Sequence, residues 1–365
     1  MTVLLQPGAG PVDGDHYLPA DPEVVHWGLL PNARSEPALT IRSGETVTLD
    51  TISHEGILAD QGRDPAAFFG AAGIPGTALL ADAVALAASP REHDAATRGP
   101  HVVTGPIAVH GARPGDVLEA EVLSLRRRAP YGVISNRHGR GALPTEYPEP
   151  PATVHSLVAT VSDDGRGRLA VGDGRHLSFR LRPFLGIMGV APATEAHVHS
   201  VPPGRHGGNL DVRHLLAGSR LFLPVQVPDA LFYAGDPHFA QGDGEVALTA
   251  FEAPLRATLR LTLHSDPEAR ALAARLRAPY AETADEVIVL GLDTDLDEAV
   301  RHAVRDALTL LDHRHGIPGP VGLAYLSAAA DFQISQVVDG VKGVHGRMTK
   351  ADLTAPPAGT AAGDR

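Results

Sequence analysis

The sequence predicts an α+β chain that is mainly β, with its helices concentrated toward the C-terminus. Three observations carry that expectation. Glycine (39) and proline (31) are spread evenly through 365 residues and punctuate short apolar, β-branched runs. Several runs alternate, as Leu118, Ala120 and Val122 do against Glu119 and Glu121, which is the period of a half-buried strand. Beyond residue 266 the apolar period lengthens to that of an amphipathic helix. The expected division is a mainly β domain over 1–265 that carries the site, an α+β part over 266–350 packed on it, and a flexible tail over 351–365.

The strand candidates, in order, are 46–51, 102–110, 117–125, 153–161, 177–181, 220–227, 246–251 and 255–263. Ser43-Gly44-Glu45, Pro114-Gly115-Asp116 and Ala217-Gly218-Ser219 each lead into an alternating strand. They fit either a weak structural repeat or ordinary tight turns, which use glycine in the same way. In the last third, 266–276 reads as a short helix, 286–290 (EVIVL) as a strand, and 294–313 as a longer helix. That longer helix places Val300, Ala303, Val304, Ala307, Leu308 and Leu311 on one face. Asp295 and Glu298 suit its start, and Gly316 with Pro318 its end. A third helix is expected over 321–331, and the Ala/Pro/Gly stretch from Thr354 is expected to fray.

Composition narrows the function classes. With 43% hydrophobic and 20% charged residues the chain can bury a core. A net charge of −12 argues against nucleic acid or an anionic membrane as a partner, since both need a basic face. The cluster Arg126–Arg128, at the end of a strand candidate, reads as solvated. The absence of cysteine excludes disulfides, thiolate metal sites and a cysteine nucleophile. The first residues, MTVLLQPGAG, lack the pattern of a signal peptide, and no apolar run approaches the roughly 20 residues of a membrane span. The expectation is a cytoplasmic protein. Lys342 and Lys350 are its only lysines.

The densest polar patch lies over 199–245. It opens with Pro202-Pro203-Gly204-Arg205-His206-Gly207-Gly208-Asn209-Leu210-Asp211 and closes with Gly235-Asp236-Pro237-His238-Phe239-Ala240-Gln241-Gly242-Asp243-Gly244-Glu245. An apolar strand candidate separates these two glycine-rich segments, and loops on a rigid element are where sites usually sit. Asp and His together bind zinc, while oxygen-rich sets bind calcium or magnesium. A divalent ion polarises an amide carbonyl and acidifies water, and a neighbouring carboxylate such as Glu245 can shuttle protons. Asp236 and His238 would share a face of a regular strand, although Pro237 favours a loop. Gly-Asp-Gly and Gly-Gly-Asn are equally turn sequences, and the spacing matches no standard zinc pattern.

Other candidates are dispersed. Asp50 ends a strand, and Ser53-His54-Glu55 after it reads as a polar turn. His101, in Gly99-Pro100-His101, starts a strand, where a lone histidine is usually structural. Asp331, Gln333 and Gln336 fit a hydrogen-bond network near Lys342. The chain has no Gly-x-Ser-x-Gly elbow, phosphate loop, dinucleotide fingerprint or Gly/Ser-rich segment of the serine-lysine amidases.

Several segments together resemble the acetamidase/formamidase family. They are Val25-His26-Trp27-Gly28, Ile41-Arg42-Ser43-Gly44-Glu45-Thr46-Val47, Thr104-Gly105-Pro106-Ile107-Ala108-Val109 with Gly111-Ala112-Arg113-Pro114-Gly115-Asp116-Val117-Leu118, and Arg182-Pro183-Phe184-Leu185-Gly186 with Gly189-Val190-Ala191-Pro192. His206-Gly207-Gly208-Asn209-Leu210-Asp211, Gly235-Asp236-Pro237-His238, Gln241-Gly242-Asp243-Gly244-Glu245 and Gln336-Val337-Val338-Asp339-Gly340 complete the set, which spans 24–350 in order. The resemblance implies a β-sandwich-like core with a smaller α+β part, hydrolysis of formamide- or acetamide-like substrates to ammonia and a carboxylate, and a homo-oligomer, dimer or higher. It also implies a divalent metal ion, here zinc ahead of calcium.

The family's functional positions fall on Asp50, His206, Asn209, Asp211, Asp236, His238, Asp243 and Glu245. In this reading Asp211, His238, Asp50 and His206 hold the metal. Glu245, opening the strand at 246–251, is the general base and then donates a proton to the leaving nitrogen, Asp236 is a second catalytic residue, and Asn209 and His101 orient the substrate. The chain departs from the family at Ser53-His54-Glu55, where many relatives carry a further acid, at Pro237 and at His101. A further departure is Arg137-His138-Gly139-Arg140-Gly141-Ala142-Leu143-Pro144, which puts the substrate in question more than the fold. The alternatives are a hydrolase of another small amide or ester, or a non-catalytic metal or small-molecule binding protein on the same fold. Glu245 close to His238 favours chemistry, since binding alone needs no spare base.

Overall fold

Strands with one apolar face must stack that face on a second layer, and this chain does so with two large sheets. The structure is a computed structural model that describes residues 4–353 apart from 92, 95 and 96, so the stretch from Thr354 lies outside the described residues. One sheet runs His16–Leu18, Thr46–Asp50, Leu255–His264, Val117–Arg127, Arg220–Pro224, Tyr280–Glu282, Glu286–Asp293, Lys342–Thr349 and Asp331–Gln336. The other runs Arg175–Arg180, Arg166–Gly172, Val154–Val161, Tyr131–Arg137, Phe251–Glu252, Phe232–Ala240, Phe184–Val190 and Gly207–Asn209. Val102–Val109 joins this second sheet beside Phe232–Ala240 and brings in Val25–Trp27 and Leu39–Ile41. The main hydrophobic cluster takes Val122, Leu221 and Leu259 from the first sheet and Ile107, Leu185 and Phe232 from the second. The fold is therefore mainly β and sandwich-like, as expected.

Helices follow the expected distribution in the last third. Pro267–Arg275, Leu296–His315 and Gly319–Ala329 all lie beyond residue 266. The Asp295 side chain accepts a hydrogen bond from Glu298 N at the start of Leu296–His315, and Gly316 ends it at φ 62°. The helix packs close to its strand because Gly291 has no side chain: a Cβ there would lie 1.9 Å from Ala299 O. The strands of this region continue the nine-stranded sheet through Arg220–Pro224 and Tyr280–Glu282, so backbone pairing runs across residue 265. Among the described residues no helix is long and apolar enough to cross a membrane.

The structure corrects three expectations. Two short helices, Pro65–Ala71 and Ala81–Ala88, interrupt the β region. Arg128 is fully buried, its Nη1 2.7 Å from Asp82 of the second of these helices, so this arginine anchors a helix to the sheet. The segment 246–251 is a turn-rich loop with only Phe251–Glu252 in a strand, because Leu248 adopts φ 112°, which breaks an extended run.

Candidate active site

The strand Phe232–Ala240 positions the site. Phe184–Val190 pairs with one edge. On the other edge Val102–Val109 pairs with the first half, as Gly235 with Val103, and Phe251–Glu252 with the second half, as His238 with Glu252. Pro237 sits where one partner gives way to the next, a place where a strand tolerates a residue without an N–H. The Asp-Pro-His element is thus a strand rather than a loop. Asp236 has φ 51°, and its Oδ2 lies 3.2 Å from His238 Nε2.

Asp211 and Glu245 share this left-handed backbone, at φ 50° and 48°. Such a conformation costs a non-glycine residue of order 1–3 kcal/mol and collects at functional sites. Glu245 is held by its turn: its N–H donates to Gly242 O at 3.2 Å, Leu248 N donates to Glu245 O at 3.1 Å, and Gly244 N donates to Ser335 O at 3.0 Å. Asp339 arrives from the turn after Asp331–Gln336, where Gln336 Oε1 accepts from Val338 N and Asp339 N at 2.9 and 3.2 Å. Gly186 makes room for this convergence, since a Cβ there would sit 2.6 Å from both Asp211 Oδ1 and Asp236 Oδ2.

Asp211, Asp236, Glu245, Glu252 and Asp339 are all buried, together with His54, His101 and His238. His238 Nε2 is 3.0 Å from Glu252 Oε1, and its Nδ1 is 3.9 Å from Asp211 Oδ1. His54 lies 3.5 Å from Asp236 Oδ1 and 3.4 Å from Glu55 Oε1. Glu55 is itself held by Arg137 Nη1 at 2.9 Å and by Ser135 Oγ. His101 Nδ1 is 2.9 Å from Ser200 Oγ. A cavity of about 300 Å³ is lined by the five carboxylates, His54, His101 and Asn209, and His238 meets that lining through Asp236 and Glu252.

Crowding five carboxylates into low dielectric splits their behaviour. Burial, reinforced by neighbouring acids, pushes Asp211 up to about 8 and raises Glu245, Glu252 and Asp339. Burial would raise Asp236 too, but His238, His101 and His54 outweigh it and hold the carboxyl well below its ordinary range. The acids in turn overcome the burial of His54, raising it to about 10, and that of His238. His101 follows burial and falls to about 3.

Buried polar atoms without a partner are uncommon, and here they converge. Both oxygens of Asp211, Asp236 Oδ1, Glu252 Oε2, Asp339 Oδ2, Asn209 Oδ1 and His54 Nδ1 lack a well-aligned hydrogen bond within the protein, as do both ring nitrogens of His238 despite the approach of Asp236 and Glu252 to its Nε2. Three sets bring one donor atom from each member within 4.8 Å of the others: His54, His101 and Asp236; Asp236, His238 and Glu252; Asp211, His238 and Glu245. Nitrogen and oxygen donors at such spacing fit a divalent ion.

Of the residues expected from sequence, Asp211, Asp236, His238, Glu245, Asn209 and His101 come together. Three do not. Asp50 faces Arg256 across paired strands, with Arg256 Nε donating to Oδ1 at 2.6 Å, Nη2 to Oδ2 at 2.9 Å, and Tyr17 OH to Oδ2 at 2.7 Å. Arg128 Nη2 also lies 3.4 Å from its Oδ2, so Asp50 is occupied by structural partners and belongs to none of these donor sets. The ring of His206 folds back over Gly204 and Gly208 of its own hairpin and does not line the cavity. Asp243 lies 3.7 Å from Arg213 Nε and groups with His214 and His345 outside it. Sequence offered His54 only as part of a polar turn and Asp339 only within a family-like segment, and it did not single out Glu252; the fold brings all three to the cavity.

The model of the acetamidase/formamidase family matches residues 87–200 and 193–342. The formamidase of Methylophilus methylotrophus is 28% identical over 191 residues, covering 40% of this chain and 47% of that protein. The acetamidase of Mycolicibacterium smegmatis is 27% identical over 198 residues, covering 40% and 49%. The match thus spans about half the length of these curated relatives. The crystal structure of a predicted acetamidase/formamidase from Thermoanaerobacter tengcongensis superposes with a TM-score of 0.72 at 25% identity, over 93% of this chain and 96% of that one.

Proposed function

Since the chain belongs to the acetamidase/formamidase family, we propose that it hydrolyses the C–N bond of a small amide, releasing ammonia, with help from a divalent metal ion. One observation carries the reading. Five buried carboxylates and the imidazoles of His54 and His101 line a single cavity, His238 stands against three of those carboxylates, and many of their polar atoms are unpartnered. Asp236 and His238, which recur in the donor sets, would hold the ion with Glu252, Asp211 or His54. Imidazole nitrogen among carboxylate oxygens suits zinc better than calcium, which takes six to eight oxygens. When bound, such an ion would act as a Lewis acid on the amide carbonyl and increase the acidity of water.

The protein's own groups divide the remaining work. Asp236 stays ionised between His54 and His238, which fits a ligand and charge partner. Glu245 is raised and lines the cavity, which fits a proton carrier: it takes a proton from water and returns it to the departing nitrogen. Asn209 and His101, which also line the cavity, orient the amide. Release of ammonia from a panel of amides, with and without chelator, tests the reading; no release from any of them by metal-replete protein would refute it.

A further inference from the structure

The cavity is larger than formamide or acetamide needs, and its lining adds guanidiniums to the carboxylate and imidazole cluster. At about 300 Å³ it reaches the lower range of sites that enclose much larger ligands. An amide of three or four heavy atoms takes roughly the space of two or three waters at ~30 Å³ each. The floor is the carboxylate cluster. Arg140 is exposed and Arg98 and Arg137 are half-buried, which sets them toward the rim. Arg137 is committed, with Nη1 2.9 Å from Glu55 and Nε 2.6 Å from Asp60. Among the described residues Arg98 and Arg140 have no ion-pair partner, and both line the cavity.

Both arginines stand on fixed backbone. Arg98 N donates to Asp94 O at 2.9 Å, and the next residue, Gly99, donates to Gly28 O at 2.9 Å. Arg140 sits in a loop closed by Gly139 N to Pro144 O at 2.7 Å and docked on the Glu245 turn by Ala142 N to Val246 O at 2.9 Å. That docking needs a glycine: Gly141 has φ 80°, and a Cβ there would meet Ala247 O at 3.0 Å. This is the Arg-His-Gly-Arg-Gly segment that the sequence reading sets apart from the family pattern.

We propose that the amide taken by this site carries a carboxylate tail, as in the monoamide of a dicarboxylic acid, and that Arg98 and Arg140 hold that tail at the rim. The inference rests on the amidase reading and adds the substrate class. An anionic tail is attracted to the two guanidiniums at the mouth, which have no ion-pair partner among the described residues, so the amide end is left to enter first. Guanidinium also matches carboxylate in geometry, two N–H groups to two oxygens.

The test compares kcat/KM for succinamate, butyramide and the cationic 4-aminobutyramide in metal-replete protein. The expected result is a preference of at least about tenfold for succinamate over butyramide, weaker at high salt, with 4-aminobutyramide worst. Arg140→Ala and Arg98→Ala should narrow the succinamate-to-butyramide ratio mainly through KM, and Arg140→Lys should restore part of it. Turnover of butyramide as fast as succinamate, or a ratio unmoved in both alanine variants, would overturn the inference while leaving the amidase reading in place. No ammonia from any of the three while formamide or acetamide is hydrolysed would overturn the inference alone, and no ammonia from those two either would remove the amidase reading with it.

Discussion

Asp236 and His238, separated by one proline in a strand, bring Oδ2 and Nε2 to 3.2 Å of each other. Asp236 reaches this position from φ 51°, and Gly186 in the neighbouring strand leaves the space both side chains occupy. The site is therefore built by backbone geometry as much as by side-chain identity.

Gly186→Ala tests that dependence. The added methyl would lie 2.6 Å from Asp211 Oδ1 and Asp236 Oδ2, and 2.7 Å from His238 Cε1. Overpacking of this kind costs about 1–3 kcal/mol. The variant should fold with a lowered Tm and lose most of its bound metal and its turnover. Wild-type metal content by elemental analysis would contradict the crowded arrangement.

Asp50 should behave as a structural acid. Removing one member of a buried ion pair strands the other, at a cost of about 3–5 kcal/mol. Asp50→Ala should therefore lower stability to denaturant by that order, because Arg256 and Tyr17 lose their partner. Metal bound per folded chain should stay unchanged. Loss of metal with stability intact would return Asp50 to the ligand set.

Asp306 predicts a pH dependence away from the site. It is buried on Leu296–His315 and accepts from Arg277 N and Ala278 N at 2.9 and 3.2 Å. Burial raises its carboxyl from 3.8 to about 6. The folded state then holds a proton that the unfolded state gives up, so stability falls as pH rises from about 4 to about 6 and levels off above. Asp306→Asn cannot titrate, and its stability relative to wild type should change by roughly 1–3 kcal/mol across that window. Denaturant curves that stay parallel from pH 4 to 7 would show that the carboxyl is not raised.

Periodicity made the long elements legible. Leu118, Ala120 and Val122 alternate because one face of their strand is core, and Asp295 and Gly316 cap their helix where the pattern begins and ends. Pro65–Ala71 and Ala81–Ala88 were hidden because helices this short offer too few turns for a period to stand out. Half of the site was legible because Asn209, Asp211, Asp236, His238 and Glu245 sit in two glycine-rich stretches of sequence. Glu252 was not, since it comes to His238 only through strand pairing, and Asp339 reaches Asp211 from the far end of the chain. Asp50 misled because an acid ending a strand looks the same whether an arginine or a metal lies opposite.

Glu245→Gln, with ammonia release and metal content measured on the same preparation, tests the central claim most directly. The amide keeps the shape of the side chain and cannot carry the proton. General acid–base help is worth roughly 10²–10⁴-fold, so turnover of the best amide should fall at least about a hundredfold while fold and bound metal stay near wild type. Unchanged turnover in the variant would contradict a proton-carrying Glu245, and loss of metal in proportion to activity would make it a ligand instead.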